Sequence, residues 1–269
     1  MAKARNPITI SKHFGIQTTD LARRDVLNAT LAIDTSLFID PLLLRVSRHP
    51  EMRLGHKAYE AHFTSIIRLL RAHRREGDPA WTAALRLMQF PEIKGTCLGY
   101  GAGSIDGRGF TGSLSERALR VGAEIVQIGI TDPDLFPALA LFEADIGPDR
   151  ISDMVTNVAF SALVAFNGRV LQELGLRGEP FGDRDRQGEF LVNPFEAKRT
   201  PVILVPMDIL RELPIAKDWD EIADAAEHND NLRQDVNQHI GEIWAAKTKR
   251  DKDILKRKLW PAAKHFRLF

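Results

Sequence analysis

The chain contains one cysteine, Cys97, in 269 residues. No disulfide can form within it, and a cysteine-based zinc site is excluded. Long hydrophobic runs are also missing: one of the longest, Ile33 to Leu44, is short and carries Asp34 and Asp40, so no stretch reads as a membrane span. Met1-Ala-Lys-Ala-Arg-Asn6 lacks the hydrophobic segment of a secretory signal, and the expected location is the cytoplasm. The eight histidines include no His-x-x-x-His pair, and no serine sits in a Gly-x-Ser-x-Gly turn, which disfavours zinc hydrolases and serine hydrolases. The formal net charge is only +1, so any charged partner must be met by a local patch and not by the whole molecule.

A hydrophobic share of 44% against 27% charge describes a globular chain able to bury a sizeable core. Ile8 to Ala32 reads as a short strand or turn followed by a helix. Leu31 to Asp40 reads as a strand stopped by Asp40-Pro41. From His56 to Arg75 a helical period sets Tyr59, Phe63, Ile66, Ile67 and Leu70 on one side. Arg68, Arg71, Arg74 and Arg75 stand largely on the other, and Gly77-Asp78-Pro79 closes the helix. Trp81 to Phe90 continues helical, Ile93 to Leu98 reads as a strand, and a glycine-dense stretch from Gly99 to Gly112 leads to a helix start at Ser113-Leu-Ser-Glu116.

Further on, Asp132-Pro133 opens a helix through Phe142, one buried helix is expected from Asp149 to Leu174, and Gly175 to Gly188 is a charged loop. Phe190 to Asn193 and Val202 to Val205 read as strands, Asp208 to Pro214 as a short helix, and Trp219 to Ala226 and Asp230 to Lys258 as helical. The expected fold is α+β, predominantly helical with a small sheet. It comprises a single domain over residues 1–245 and a basic helical appendage over 246–269.

The most unusual stretch is Glu143 to Asn157, where acids and amides crowd the start of an apolar helix. At helical spacing Asp149, Asp153 and Asn157 share a face, with Ser152 and Thr156 beside them. Two readings suit these residues. Acids in a first turn favour the positive end of the helix dipole and can be caps; converging oxygen ligands can also hold a cation. Glu196-Ala-Lys198, between two expected strands, supplies the Glu-x-Lys that restriction-type nucleases combine with an upstream acid to bind magnesium and position water. Asp149, Asp153 and Glu196 are therefore the candidate Mg2+ ligands, with Lys198 beside the water as the fourth catalytic candidate. Glu92-Ile-Lys94 is a second such tripeptide, downstream of Asp34 and Asp40.

Asp34-Thr-Ser-Leu-Phe-Ile-Asp40 resembles the opening strand of PIN-type nucleases, although here it follows a long lead. Gly99 to Gly112 matches no standard phosphate-loop signature; Arg108 is its one natural phosphate ligand. Cys97 reads as a small core residue, and His56 and His62 face different sides of one helix. Candidate contacts for a DNA or RNA backbone are Arg71, Arg74 and Arg75, with Lys249, Arg250, Lys256, Arg257 and Lys258 in the basic tail. Three phrases, Asp34 to Pro41, Ile146 to Met154 and Ile203 to Pro214, resemble those of uncharacterised bacterial proteins from phage-defence and mobile-element gene neighbourhoods. That resemblance implies a defence role and action on nucleic acid, either as a nuclease or as a non-catalytic structural or sensor subunit with other protein subunits as partners.

Overall fold

Asp40-Pro41 and Asp78-Pro79 are helix starts written into the chain, a capping carboxylate followed by a residue whose fixed φ suits the first helical turn. In the computed structural model both act so: Asp40 accepts the Leu42 N–H at 2.9 Å and Asp78 the Trp81 N–H at 2.8 Å. The structure describes residues 8–99, 110–127, 129, 131, 133, 148–182, 187–196 and 198–212, excepting the side chains at 148 and 149. Outside the described residues lie 100–109 of the glycine stretch with Arg108, most of the expected helix from Asp132 to Phe142, the expected helices beyond residue 212, and the whole basic tail with Lys249, Arg250, Lys256, Arg257 and Lys258.

The described residues form two compact units, one drawn from Met1–Ala61, Phe90–Phe110 and Pro148–Glu212, the other from His62–Gln89 and Thr111–Gly147. The fold is α+β and mostly helical, as expected. In the first unit, α1 (Ile10–Phe14), α2 (Thr18–Arg23), β1 (Leu37–Ile39) and α3 (Pro41–Val46) precede α4 (Pro50–Ala72), whose first half belongs to this unit. After α5 (Pro79–Leu87) and α6 (Ser113–Gln127) of the second unit, the chain re-enters the first with α7 (Pro148–Val158) and α8 (Phe160–Glu173). Then come β2 (Glu179–Phe181), β3 (Gly188–Val192), β4 (Pro201–Val202), a 3-10 turn (Met207–Ile209) and β5 (Leu210–Glu212).

β1 pairs antiparallel with β5, Phe38 opposite Arg211, and β2-β3-β4 make a second antiparallel sheet with Leu191 opposite Val202. α7 packs on β1 and α8 on β3. The core between them is Phe38, Ile39, Met154, Leu163, Phe166 and Phe190, all buried, each contributing about 1.5–3 kcal/mol over an exposed side chain.

Asp149 to Leu174 is not one helix. α7 and α8 meet at Ala159 with a bend of 73°. Two local causes stand at the elbow. Asn157 turns its amide back onto the Asp153 carbonyl and across to that of Pro91, and Gly55 of α4 sits so close that a Cβ there would lie 3.0 Å from the Ala162 Cβ and 3.2 Å from that of Ala159. Among the described residues no single helix is long and apolar enough to cross a membrane.

Other expectations give way for similar reasons. Ile93 to Leu98 makes no strand, only a parallel bridge between Thr35 and Leu98. The chain turns there through Gly95 at φ 107° and Cys97 at φ 55°, and a Cβ on Gly95 would fall 2.2 Å from the Pro201 carbonyl oxygen. Ile8 to Ala32 holds two short helices and no strand, β2 lies inside the expected Gly175–Gly188 loop, and β4 covers only the first residue of the expected Val202–Val205 strand, with its neighbour Pro201. Within Asp208 to Pro214, the described residues form the end of a 3-10 turn and β5 instead of a helix, because Arg211 is drawn to the buried Asp40 carboxylate across the β1–β5 pair.

In the second unit the helical period of α4 holds: Phe63, Ile66, Ile67 and Leu70 are buried and Arg68 and Arg71 exposed. α4 starts earlier than expected, at Pro50, and ends at Ala72, which leaves Arg74 and Arg75 in the loop. α5 contacts α6, burying Trp81, Ala84, Ala118 and Leu119. Also on α4, the ring of His62 meets the Leu87 carbonyl through Nε2 at 2.9 Å. Burial lowers its pKa below the ordinary 6.5, the Leu87 carbonyl opposing the shift. The folded state therefore binds this proton less readily than the unfolded chain. The stability His62 contributes is present above about pH 6.5 and is lost as the pH falls through its lowered value. Urea titrations at pH 7.5 and 5.5 should show a larger loss for the wild type than for His62→Gln, which keeps a donor for Leu87 but does not titrate; equal losses would refute the assignment.

Candidate functional site

The polar start of α7 is spent largely on backbone groups. Ser152 Oγ accepts the Ile39 N–H of β1 at 3.1 Å, Thr156 Oγ1 donates to the Ser152 carbonyl at 2.7 Å, and Asn157 Nδ2 donates to Pro91 O at 2.7 Å and Asp153 O at 2.8 Å. These bonds stitch α7 to β1 and to the loop after α5. Both Asn157 donors face carbonyls, so its amide orientation is fixed, and its Oδ1 is left as a buried acceptor with no hydrogen-bond partner. Asp153 is half-buried, Asp149 lies in the first turn of α7 with its side chain outside the description, and Arg150 follows it.

Glu196 and Lys198 sit in the loop between β3 and β4, Glu196 half-buried and Lys198 exposed. Asn193 shapes that loop: its Oδ1 accepts the Phe195 N–H at 3.0 Å and its Nδ2 donates to Leu31 O at 3.0 Å. Glu196 lies near Cys97. Burial first, then the charges of Asp34 and Glu196, push the Cys97 thiol up to about 12, so it is an inert core thiol at neutral pH, as expected. The loop position of Glu196 and Lys198 departs from the strand on which a restriction-type Glu-x-Lys is held. Glu92 and Lys94 likewise fall in irregular chain.

Among the described residues, the one group of three His, Cys, Asp or Glu side chains close enough to share an ion is Asp25, His49 and Asp208. Sequence patterns did not point to it. Asp25, at φ 57° after α2, is brought in by the Val26–Pro206 bridge and by Met207 N donating to Asp25 O at 2.7 Å. Asp208 is held by Ser47 Oγ at 3.0 Å and the Arg48 N–H at 2.7 Å. Two features set its chemistry. The Arg48 guanidinium already lies between the carboxylates, 3.0 Å from Asp25 and 3.7 Å from Asp208. Arg169 donates to His49 Nδ1 at 3.2 Å, so the proton of the neutral ring is on Nε2, 3.4 Å from Asp25. An imidazole whose Nε2 carries a proton and a cation between the acids do not fit magnesium, which takes oxygen ligands.

Arg169 extends the network to Glu51 at 2.6 Å and Glu173 at 3.0 Å. Burial works to raise the Glu51 carboxyl, but the Arg169 hydrogen bond, its own backbone amide and the charges of Arg169 and His49 outweigh it and leave the pKa below its ordinary value. This is a set of ion pairs that ties the start of α4 to α8 and to the 3-10 turn.

The arginine end of α4 is different. Arg68, Arg71, Arg74 and Arg75 are exposed, and none has an ion-pair partner among the described residues, whereas Arg120 nearby in the same unit is paired with Glu76 at 3.0 Å. Arg74 and Arg75 border a surface cavity of about 480 Å³ completed by Ala72, Asp78, Pro79 and Ala80. Of the basic residues singled out from sequence, Arg74 and Arg75 thus border one cavity, and Arg71 is exposed in the last turn of α4.

These features define a mostly helical α+β protein with an unneutralised arginine surface in one unit and a braced ionic network in the other. The chain belongs to the family described as Domain of unknown function (DUF8370), whose model matches residues 15–217. No curated protein and no solved structure matches it.

Proposed function

We propose that the chain is a bacterial, cytoplasmic, defence-type protein that handles nucleic acid, gripping the phosphate backbone with the arginine end of α4. The observation that carries this reading is the row of four exposed arginines without ion-pair partners among the described residues. Exposed guanidinium groups that are not held in ion pairs are ready to exchange water and chloride for phosphate oxygens. The basic residues Lys249, Arg250, Lys256, Arg257 and Lys258 are proposed as a second contact. In this reading the chain is a binding or sensing subunit of a larger defence complex, because the polar face of α7 is largely occupied with bracing the fold. Fluorescence anisotropy with DNA and RNA, single- and double-stranded, tests it: Arg71→Gln, Arg74→Gln and Arg75→Gln together should weaken binding to all sequences alike, and wild-type protein that binds none of these would overturn it.

A second reading is supported by one buried atom. The unpartnered Asn157 Oδ1, on the face of α7 that carries Asp153, suits a cation or water brought by a Mg2+ site of Asp149, Asp153 and Glu196, with Lys198 beside the attacking water. Bound there, the metal would supply an activated water for phosphodiester hydrolysis. Magnesium- or manganese-dependent cleavage by purified protein, lost in both Asp153→Ala and Lys198→Ala while the circular dichroism spectrum is retained, is its expected result. No cleavage by the wild type, alone or with its genomic neighbours, leaves the binding subunit as the function.

A further inference from the structure

The loop between α4 and α5 is organised by one carboxylate. Asp78 Oδ1 accepts the Trp81 N–H at 2.8 Å; its Oδ2 accepts the Arg74 N–H at 2.7 Å and the Arg75 N–H at 3.4 Å. These amides, that of Trp81 foremost, hold the Asp78 carboxyl below its usual pKa, so it stays ionised with both oxygens turned to the backbone. The carboxylate that borders the cavity is therefore engaged inside its own loop. The side chains of Arg74 and Arg75 are not: they are exposed and without ion-pair partners among the described residues.

The shape at these two arginines distinguishes kinds of phosphate. Arg68 and Arg71 stand on the convex side of a helix, a surface along which a continuous backbone can run. Arg74 and Arg75 line a solvent-open concavity of about 480 Å³, which has room for a phosphate group. An internal phosphodiester carries one negative charge. A phosphomonoester carries nearly two at neutral pH and presents three acceptor oxygens, a match for two neighbouring guanidinium groups. We propose that the Arg74–Arg75 cavity binds a phosphomonoester, the terminal phosphate of a nucleic-acid strand, while Arg68 and Arg71 hold the adjoining backbone. This deepens the nucleic-acid reading above and rests on it.

The test uses the full chain and labelled oligonucleotides of one sequence, single-stranded and duplex, ending in 5′-phosphate, 3′-phosphate or hydroxyl. Wild-type protein should prefer a phosphate end by at least about tenfold, as expected for a dianion held by two charge-assisted contacts. Arg74→Gln/Arg75→Gln should lose that preference yet still bind hydroxyl-ended strands, whereas Arg68→Gln/Arg71→Gln should bind all strands more weakly and keep it. Lowering the pH from about 7.5 to about 5.5 should shrink the preference, because the second ionisation of a monoester lies near 6. Wild-type protein that binds phosphate and hydroxyl ends equally overturns the inference and leaves the nucleic-acid reading standing; no binding to any strand overturns that reading. Displacement of the phosphate-ended strand by an equal concentration of a nucleoside monophosphate would assign the cavity to free nucleotides and overturn the strand-end assignment.

Discussion

Asn167→Ala should cost the first unit roughly 3–5 kcal/mol, an effect at the large end for one substitution. Asn167 is fully buried in α8. Its Oδ1 accepts the Leu204 N–H at 2.8 Å, and its Nδ2 donates to Leu204 O at 2.9 Å and Leu163 O at 2.7 Å. The side-chain amide thus pairs with the peptide of Leu204 as a neighbouring strand would. Truncation leaves a buried donor and acceptor unpaired at about 1–3 kcal/mol each, and opens a small cavity. Asn167→Asp should be at least as damaging, since a buried carboxylate would face two carbonyl oxygens. Urea unfolding measures both. A loss below about 1 kcal/mol for the alanine variant would mean that water replaces the amide. The segment that Asn167 anchors continues through Val205, which accepts the Leu27 N–H at 3.0 Å, to Asp208, so the variant should also loosen the Asp25–His49–Asp208 group.

Replacing Arg68, Arg71, Arg74 and Arg75 together by glutamine should give the largest functional change. Each phosphate neutralised by a side chain releases condensed counterions, and the slope of log K against log salt is about −0.9 per contact on duplex DNA and about −0.7 on single strands. Four lost contacts should flatten the duplex slope by about 3 to 4 and weaken binding at least about 100-fold near 0.1 M salt. The exposed side chains are not packed, so unfolding by heat should be unchanged within a degree or two. A salt slope equal to that of the wild type would move the contact elsewhere, with the Lys249–Lys258 segment as the next place to substitute.

The fold was legible where the cause is local. Asp40-Pro41 and Asp78-Pro79 start helices through their own side chains and backbone angles. The second half of α4 obeys its period because burial along a helix repeats every 3.6 residues whatever it packs on. The exposed Arg68 and Arg71 were legible for that reason, and Cys97 as a core residue was legible from its side-chain type. The candidate ligands on α7 were recognised as unusual, but their use was not readable. Ser152 is bonded to Ile39, and Asn157 to Pro91, by chain segments distant in sequence.

The amino-acid sequence alone determined a mostly helical α+β chain, the starts of α3 and α5, the buried and arginine sides of α4, and the exclusion of disulfide and cysteine–zinc chemistry. Tertiary structure alone decided that α7 and α8 break at Ala159, that Leu210–Glu212 is a strand, and that Asp25, His49 and Asp208 converge. It also set the buried Asn157, Asn167 and Asn193 amides onto backbone groups of remote segments. The reason is physical: helix propensity and capping act within a few residues, whereas strand pairing, a side-chain amide satisfying a distant peptide, and an ion pair such as Asp40–Arg211 exist only once packing has brought remote segments together.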